Sequence, residues 1–417
     1  MKIVQVNTIC GATSTGRICV DLYETVAAKG HEPYIAVGRG GLPPGINGYQ
    51  IGNQTDFLCH VMKNFVQGKA GFGSKTVTKK LIDWLGQIKP DIIHLHNIHG
   101  FYLQVELFFT YLKEAGIPVI WTLHDCWSFT GHCAYFDFVG CDKWKDGGEG
   151  CHDCPIHRTA YPYAIFKDNT VWNYAAKKRI FGGVPNLTIV TPSHWLAGLV
   201  KQSYLKEYEV VVIPNGINLE NFRPLDAQEQ KKRDKQYAGY RHRTILGVAN
   251  RWEARKGLGY FEQLADRLGD HYTIELIGLD QAQTQLMKKK YPTGKILPLP
   301  RTKNVQLLAS VYRTADVYVN ATLEDNFPTT NLEALACGTP VVTFDTGGSP
   351  ESVDDTCGIV VPKGDIDGLT QAVIRTCEEK PFSEKACRGR ALLYNRQDRY
   401  TDYLHLYEKV YQTGQDW

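Results

Sequence analysis

The chain lacks the features that would place it in a membrane, on a nucleic acid or among disordered proteins. No apolar run approaches the ~18 residues that a bilayer-crossing helix needs, so no span is expected. Charge of one sign is not in excess: 47 Lys and Arg stand against 44 Asp and Glu, a net charge of +3. That balance lacks the footprint of a nucleic-acid binder, and no nucleic-acid partner is expected. At 43% hydrophobic and 22% charged residues, the composition is that of an ordinary globular protein. The opening Met1-Lys2-Ile3-Val4-Gln5-Val6-Asn7 carries a polar residue inside its short apolar run. It therefore lacks a signal peptide's hydrophobic region and reads as a buried first strand. Sequence repeats and long low-complexity tracts are missing, and so is the G-x-G-x-x-G fingerprint of a nicotinamide-binding turn, which Gly11-Ala12-Thr13-Ser14-Thr15-Gly16 does not match.

What is present is 417 residues, enough for two or three domains with full cores and no need of staples. Apolar runs of four to six residues alternate with amphipathic stretches, the pattern of βαβ units and parallel sheets. The first half predicts strands at Ile3 to Val6, Tyr34 to Val37, Ile92 to Leu95, Val119 to Leu123, Leu187 to Val190 and Val210 to Ile213. Its first crossover helix is expected from Arg17 to Lys29, burying Ile18, Leu22 and Val26 and stopping at Gly30. After the turn Pro214-Asn215-Gly216 and a polar tract including Lys231-Lys232-Arg233-Asp234-Lys235, the pattern restarts. Strands are expected at Ile245 to Val248, Thr273 to Ile277, Val317 to Val319, Pro340 to Phe344 and Ile359 to Val361, with helices near 257–269, 303–313 and 366–379. Tyr400, Tyr403, Leu404, Tyr407 and Val410 fall on one helical stripe that should dock on a domain surface. The expected division is an N-terminal domain over 1–212 with a Cys-rich insertion at 126–155, a second domain over 213–395 and a C-terminal helix over 396–417 that packs back on the first. Most of the twelve cysteines sit singly in apolar surroundings, as reduced thiols do, so the expected compartment is the cytosol.

Two stretches of the second half carry chemistry. Ala249-Asn250-Arg251-Trp252-Glu253-Ala254-Arg255-Lys256-Gly257 puts two or three cations at a strand's C-terminal end, just before a helix. Asp325-Asn326-Phe327-Pro328-Thr329-Thr330-Asn331-Leu332-Glu333 joins an acidic loop to a short helix. With a helix starting near Thr329, Asp325 lies before it and Glu333 about one turn inside, so the carboxylates flank a helix N-terminus. This suits a ligand with hydroxyls at both ends and a diphosphate between. In the first half, the Gly/Ser/Thr turn that opens a helix at Gly16 suits an anion.

These elements resemble the donor domain of retaining nucleotide-sugar glycosyltransferases of family 4, which have the GT-B fold. The likeness lies in the acid-x7-Glu motif that runs into Glu-Ala-Leu-Ala-Cys-Gly-Thr-Pro-Val-Val, in Arg251-x4-Lys256, in Pro214-Asn215-Gly216-Ile217-Asn218 and in Gly347-Gly348-Ser349-Pro350-Glu351. It extends to Ser14-Thr15-Gly16-Arg17-Ile18, Pro90-Asp91-Ile92-Ile93-His94-Leu95-His96-Asn97 and Thr122-Leu123-His124-Asp125, and so covers nearly the whole chain in order. The resemblance implies an α/β protein with two Rossmann-like domains facing each other across a cleft. It implies a hexosyltransferase that moves a sugar from a nucleotide diphosphate sugar to a glycan or lipid-linked oligosaccharide, in capsule, exopolysaccharide or O-antigen synthesis. Arg251 and Lys256 would then hold the diphosphate, Glu333 the ribose and Asp325 the transferred sugar, with His124 reaching the sugar from the other domain. Gly16, Glu324, Asn326, Phe327, Pro328, Thr329 and Thr330 would complete the donor site, and His96 and Asp125 would lie on the acceptor side. The family's first acid is usually Glu; here Asp325 follows Glu324, and either could meet the sugar. The base is expected near Arg301 to Val305. Retention would proceed by front-face attack, without an enzymic nucleophile. The alternatives are a GT-B epimerase, a phosphorylase, or a catalytically silent nucleotide-sugar binder; a glycosidase pair of carboxylates would leave the cations without a role.

Other signals have plainer readings. Asp365-Ile366-Asp367 looks like a metal-binding D-x-D but sits where Asp caps a helix, and no donor-site metal is required when cations supply the countercharge. Cys133, Cys141, Cys151 and Cys154 fit either a structural zinc site or free, disulfide-capable thiols. His94, His96 and His99 are expected to be hydrogen-bonded cleft residues. Lys63, Lys69, Lys75, Lys79 and Lys80 interleave with Phe57, Phe65 and Phe72, and Lys177-Lys178-Arg179 adds a second basic spot. That pattern fits a solvated face or peripheral contact with the inner face of an anionic membrane.

Overall fold

The computed structural model describes residues 1–236, 242–302 and 304–414. The chain divides into two compact units, one formed by residues 1–214 with the segment from Gln397 onward, the other by Asn215–Arg396.

The first unit holds a seven-stranded sheet. Its strands are β1 (Lys2–Ile9), β2 (Glu32–Arg39), β3 (Gly48–Gln50), β4 (Ile92–Leu95), β5 (Val119–Thr122), β6 (Leu187–Thr191) and β7 (Glu209–Val212). They run parallel in the order β3-β2-β1-β4-β5-β6-β7. The helices are α1 (Thr13–Ala28), α2 (Gln54–Gln67), α3 (Lys75–Ile88), α4 (Val105–Ala115), α5 (Thr170–Phe181) and α6 (His194–Gln202). Strands such as β4 and β5 are buried at every position because helices cover both faces, hence their unbroken apolar runs. The second unit holds β8 (Arg243–Val248), β9 (Tyr272–Ile277), β10 (Ile296–Leu299), β11 (Val317–Asn320), β12 (Val341–Asp345) and β13 (Gly358–Pro362). These are parallel in the order β10-β9-β8-β11-β12-β13. Its helices are α7 (Ala227–Gln236), α8 (Leu258–Arg267), α9 (Gln281–Lys290), α10 (Val305–Thr314), α11 (Thr329–Ala336), α12 (Ile366–Glu379) and α13 (Glu384–Leu392); α14 (Arg396–Gly414) follows.

Both sheets reverse direction once, between β1 and β4 in the first and between β8 and β11 in the second. In doubly wound sheets the crevice for a ligand opens at the carboxyl ends of the strands at that reversal. The segments that follow these four strands contain Gly11 to Gly16, which runs into the first turn of α1, His96, the segment from Asn250 to Gly257, and the segment from Ala321 to Pro328. The topology therefore delivers the sequence-derived candidates to the two positions where such a fold binds ligands.

The expected strands all form, most of them longer by a residue or more at one or both ends. Two that the sequence did not announce, β3 and β10, are sheet edges: β3 has no apolar run, and Pro298 interrupts β10, which an edge tolerates. Helix α1 starts at Thr13, four residues before Arg17, because the chain turns sharply at Gly11 (φ 71°) and Thr13 (φ 63°). It ends as expected, with Lys29 at the C-cap and Gly30 left-handed beyond it (φ 79°). Helix α2 escaped notice because the residues it buries are His60 and Asn64, while Leu58, Met62 and Val66 face outward. Asp365 accepts the Gly368 amide at 2.9 Å and caps α12, as read from sequence. The helix expected from Lys303, which lies outside the described residues, begins at Val305.

The C-terminal stripe is buried as predicted. Tyr400, Tyr403, Leu404, Tyr407 and Val410 pack with Ile3, Ile18, Leu22, Ile92 and Val190 of the first unit. Two of its hydroxyls reach the sheet: Tyr407 lies 2.6 Å from His94 Nδ1, and Tyr403 3.1 Å from Thr122 Oγ1. Tyr407→Phe keeps the ring but leaves a buried imidazole nitrogen without its partner, at a cost of about 1–3 kcal/mol. Urea unfolding should show a lower midpoint at unchanged slope; an unaltered midpoint would contradict the role given to this contact.

Candidate active site

In the second unit, β8 feeds a loop that ends in a single 3-10 turn at Ala254–Lys256 and a left-handed Gly257 (φ 73°). A Cβ at Gly257 would come within 1.9 Å of the Ala321 carbonyl, so the glycine lets this loop close onto the end of β11. The closure is stitched by backbone: Leu323 N donates to Arg255 O at 2.7 Å, and Arg255 Nη1 donates to Glu324 O at 2.9 Å. Lys256 Nζ consequently donates to Asp325 Oδ2, with Arg255 Nη1 3.9 Å from the same oxygen. On the other side Gly347, where a Cβ would lie 1.9 Å from Asp325 O, lets Gly348 N donate to that carbonyl at 3.0 Å. The Gly-Gly-Ser-Pro-Glu motif is thus a backbone clamp on Asp325.

Burial works against charge on both partners, yet the pair is ionic. It pushes the Lys256 ammonium below the ordinary lysine range, with Asp325 working the other way. It also pushes the Asp325 carboxyl up, but Lys256 and Arg255 outweigh that and hold it below the usual carboxylate range. Asp325 and Lys256 side chains remain 15% and 22% exposed, so a ligand can reach them. Of the two acids, Glu324 is 0% exposed, whereas Asp325 is partly exposed. Arg251 is exposed on the loop after β8, and the cation beside Asp325 is Arg255. Sequence reasoning gave Arg255 no role, although it adjoins Lys256 in a run already marked by its charge.

Helix α11 starts at Thr329 as predicted, with Pro328 at its N-cap and no side-chain cap hydrogen bond. Asp325 lies on the loop before it, and Glu333 one turn inside accepts the Tyr312 hydroxyl at 2.9 Å. Asn326 and Phe327 are buried; Phe327 stacks obliquely on Tyr394, and its carbonyl accepts Asn215 Nδ2 at 3.2 Å, which ties Pro-Asn-Gly to the acidic loop. Beneath the loop Asn331 is fully bonded, accepting from Asn320 Nδ2 at 2.8 Å and donating toward Ser349 Oγ at 3.1 Å and Ser352 Oγ at 3.0 Å.

In the first unit, His96 follows β4 directly and His124 follows β5 by two residues. Their rings meet, with His96 Nδ1 3.1 Å from His124 Nε2 and His96 Nε2 3.1 Å from Gln5 Oε1. His99 Nε2 lies 2.9 Å from Asp125 Oδ2, and Trp127 N donates to Asp125 Oδ1 at 2.9 Å. His96, Asn97, His99, His124, Asp125 and Trp127 line a small cavity. All three histidines of the sequence cluster are hydrogen-bonded; His96 and His99 line the cavity, while His94 is fully buried and bonded to Tyr407 and Thr122. Gly16 sits in α1 where a Cβ would come 3.0 Å from Ile9 O, so it allows close approach of helix and strand.

Among the described residues no group of three or more His, Cys, Asp or Glu is placed to hold a metal ion. Cys133 instead shares a hydrogen bond with Cys154, raising the Cys133 thiol and lowering that of Cys154. Burial pushes Cys151 up to about 12, and Cys141 and Cys154 are half-exposed. All twelve cysteines are free thiols.

The ion pair yields a stability test. Lys256→Met strands Asp325 with only Arg255 at 3.9 Å, and because the site is partly exposed the cost should be about 1–3 kcal/mol, below that of a fully buried pair. Adding Asp325→Asn should recover much of it, giving a coupling of about 1 kcal/mol or more in a double-mutant cycle. Strict additivity would deny the pair any energetic role.

The comparisons with known proteins agree with this fold. A family model described as Glycosyltransferase Family 4 matches residues 15–221, and one described as Glycosyl transferases group 1 matches 242–379. The chain is 23% identical over 332 residues to WcaC of Escherichia coli K12, named as a colanic acid biosynthesis glycosyl transferase, spanning 77% of each chain. It is 25% identical over 205 residues to the UDP-Gal:alpha-D-GlcNAc-diphosphoundecaprenol alpha-1,3-galactosyltransferase of Escherichia coli, covering 46% of this chain and 51% of that one. Among solved structures it resembles sucrose-phosphate synthase of Thermosynechococcus elongatus, with a TM-score of 0.72, 16% identity and 99% of each chain covered. Anabaena HepE, solved with UDP-glucose, gives 0.65 at 13% identity over 100% of both. Two parallel-sheet Rossmann-like units, matched in order by both family models, make the chain a glycosyltransferase of family 4 with the GT-B fold.

Proposed function

We propose that the protein transfers a hexose-type sugar, with retention, from a nucleoside diphosphate sugar to a glycan or lipid-linked acceptor in surface polysaccharide synthesis. The observation that carries this is the cationic loop at the reversal of the second sheet, where Lys256 and Arg255 converge on Asp325 just before the α11 N-terminus. Breaking the bond between the sugar's anomeric carbon and the phosphate oxygen sends negative charge onto the leaving diphosphate. Preplaced cations and helix N–H groups stabilise that charge most at the moment it develops. Lys256 and Arg255, with Arg251 as the resemblance implies, would face the diphosphate. Asp325 would orient the sugar hydroxyls, Glu333 would take the ribose hydroxyls, and His124 would contact the sugar from the first unit. Gly16, Asn326, Phe327, Pro328, Thr329 and Thr330 would shape the donor pocket; His96 and Asp125 would lie toward the acceptor. The departing phosphate oxygen would take the acceptor's proton, so the step needs no protein nucleophile. The named acceptors and donors of relatives, a lipid diphosphate-linked sugar and UDP sugars, support this choice of substrate class.

The activity test is nucleoside diphosphate release and product formation over a panel of nucleotide sugars with lipid-linked sugar acceptors. Lys256→Met should lose about 10²- to 10³-fold in kcat; wild-type rates would overturn the reading, and diphosphate-free binding alone would leave a silent binder. The pH profile adds a sign. Lys256 acts protonated and its burial lowers its pKa, so kcat/KM for donor should fall as pH rises through a value below that of an ordinary lysine. Lys256→Arg should move that fall to higher pH.

Membrane contact is proposed for one face of the first unit. Helix α2 exposes Leu58 (50%), Met62 (58%) and Val66 (52%), and beside it Phe166 (73%) and Trp172 (40%) are exposed, with Lys69 Nζ 3.8 Å above the Trp172 ring. Phe166 N donates to Phe65 O, which joins the two segments into one patch, and Lys63 is exposed on the same helix. Apolar side chains flanked by cations suit an anionic lipid surface. Two parts of the sequence expectation do not belong to it: Phe72 is buried, and Lys177 is 1% exposed while Lys178 and Arg179 pair with Asp146 and Glu106. No helix among the described residues is long and apolar enough to cross a membrane. Flotation with anionic vesicles at low salt should retain the protein, and Met62→Glu with Phe166→Glu should release it; equal retention of both would sink the assignment.

A further inference from the structure

We infer that Gln5 is a positioning residue which, through His96, holds His124 in the tautomer that carries its proton on Nε2. The inference rests on the reading that His124 meets the transferred sugar, but the tautomer itself follows from donors and acceptors alone. The chain of contacts begins at the Cys19 carbonyl, which can only accept. Gln5 Nε2 donates to it at 3.0 Å, and this fixes which end of the amide faces which way. Gln5 Oε1 therefore points at His96 Nε2, 3.1 Å away. An amide oxygen has no proton to give, so His96 Nε2 carries one and donates it. In a neutral ring the other nitrogen, Nδ1, is then an acceptor. The group 3.1 Å from it is His124 Nε2, which must in turn be the donor. His124 Nδ1 then carries no proton, so toward a sugar hydroxyl it could act only as an acceptor.

Two further observations support the relay. Burial keeps the rings neutral, holding His94 at about 3, His124 at about 4 and His96 well below the ordinary histidine value. Packing also prevents the rings from turning. His96 is held between His94, tilted at 35° with centroids 4.1 Å apart, and His124, stacked at 5.4 Å. His94 is itself clamped by Thr122 Oγ1 at 2.8 Å and Tyr407 OH at 2.6 Å, and Trp121 Nε1 donates to the His96 carbonyl at 3.2 Å. Gln5 and His96 are each 1% exposed, so water does not compete for the links. A conserved charge is not needed for such a relay; a neutral amide with one end pinned to a carbonyl suffices.

The test is the two-bond nitrogen–proton NMR spectrum of imidazole-labelled full-length protein, with His124→Ala used to assign the His124 signals. The expected result is a protonated Nε2 and a bare Nδ1 on His124 without any substrate present. Gln5→Glu places a carboxylate at the same atom, favours a doubly protonated His96, and should move the His124 proton to Nδ1. With the donor's acceptor atom lost, kcat should fall about 10- to 100-fold, the size of a mismatched buried hydrogen bond, while donor KM changes little. Protonation of His124 at Nδ1 in the wild type overturns the inference even if Gln5→Glu fails to fold. So does a Gln5→Glu protein with wild-type tautomer and rate. A wild-type spectrum as expected in a protein that transfers no sugar upholds the relay and defeats the functional reading instead.

Discussion

Much of the second unit's site depends on a lysine and an aspartate being held close together at the end of a parallel sheet. Bringing Lys256 against Asp325 takes a loop that can lie on β11, which Gly257 permits, and an acidic loop whose backbone cannot drift, which Gly347 and Gly348 secure. Arg255 spends its guanidinium on the Glu324 carbonyl and still adds its charge to the same corner. The polar network under Asn331 supports the loop from below. The opposite charges satisfy each other, so neither buried ion is left alone.

The first unit solves a different problem, that of keeping several imidazoles neutral and fixed in a dry interior. Its means are the strand-end placement of His96 and His124, the amide of Gln5, and a C-terminal helix that reaches back to the sheet through Tyr403 and Tyr407. Helix α14 is therefore more than a lid on apolar surface: its hydroxyls complete the hydrogen bonding of His94 and Thr122, and the His94 ring lies against that of His96.

Most of the central strands were legible because parallel strands buried on both faces write themselves as unbroken apolar runs. The edges β3 and β10 were not, since an exposed or Pro-bearing strand carries no such run. Helix α2 was hidden by burying His60 and Asn64 and exposing its leucine, methionine and valine, an inversion of the usual stripe. At the site, the acidic loop, the α11 start and Lys256 were readable from spacing. Which cation stands beside Asp325 was not, because Arg251 and Arg255 differ only in how a tight turn aims them. Gln5 was invisible for a simpler reason: it reads as one polar residue in a buried strand, and its meaning lies in partners 14 and 91 residues away.

The central claim is that the Lys256 corner exists to meet phosphate charge. Calorimetric titration can isolate that charge by comparing a nucleoside diphosphate with the bare nucleoside, on the wild type and on Lys256→Met. The account predicts that the substitution weakens the diphosphate by about 10- to 100-fold, the worth of one charge-assisted hydrogen bond, and leaves the nucleoside unaffected. Equal weakening of both, or of neither, would contradict it.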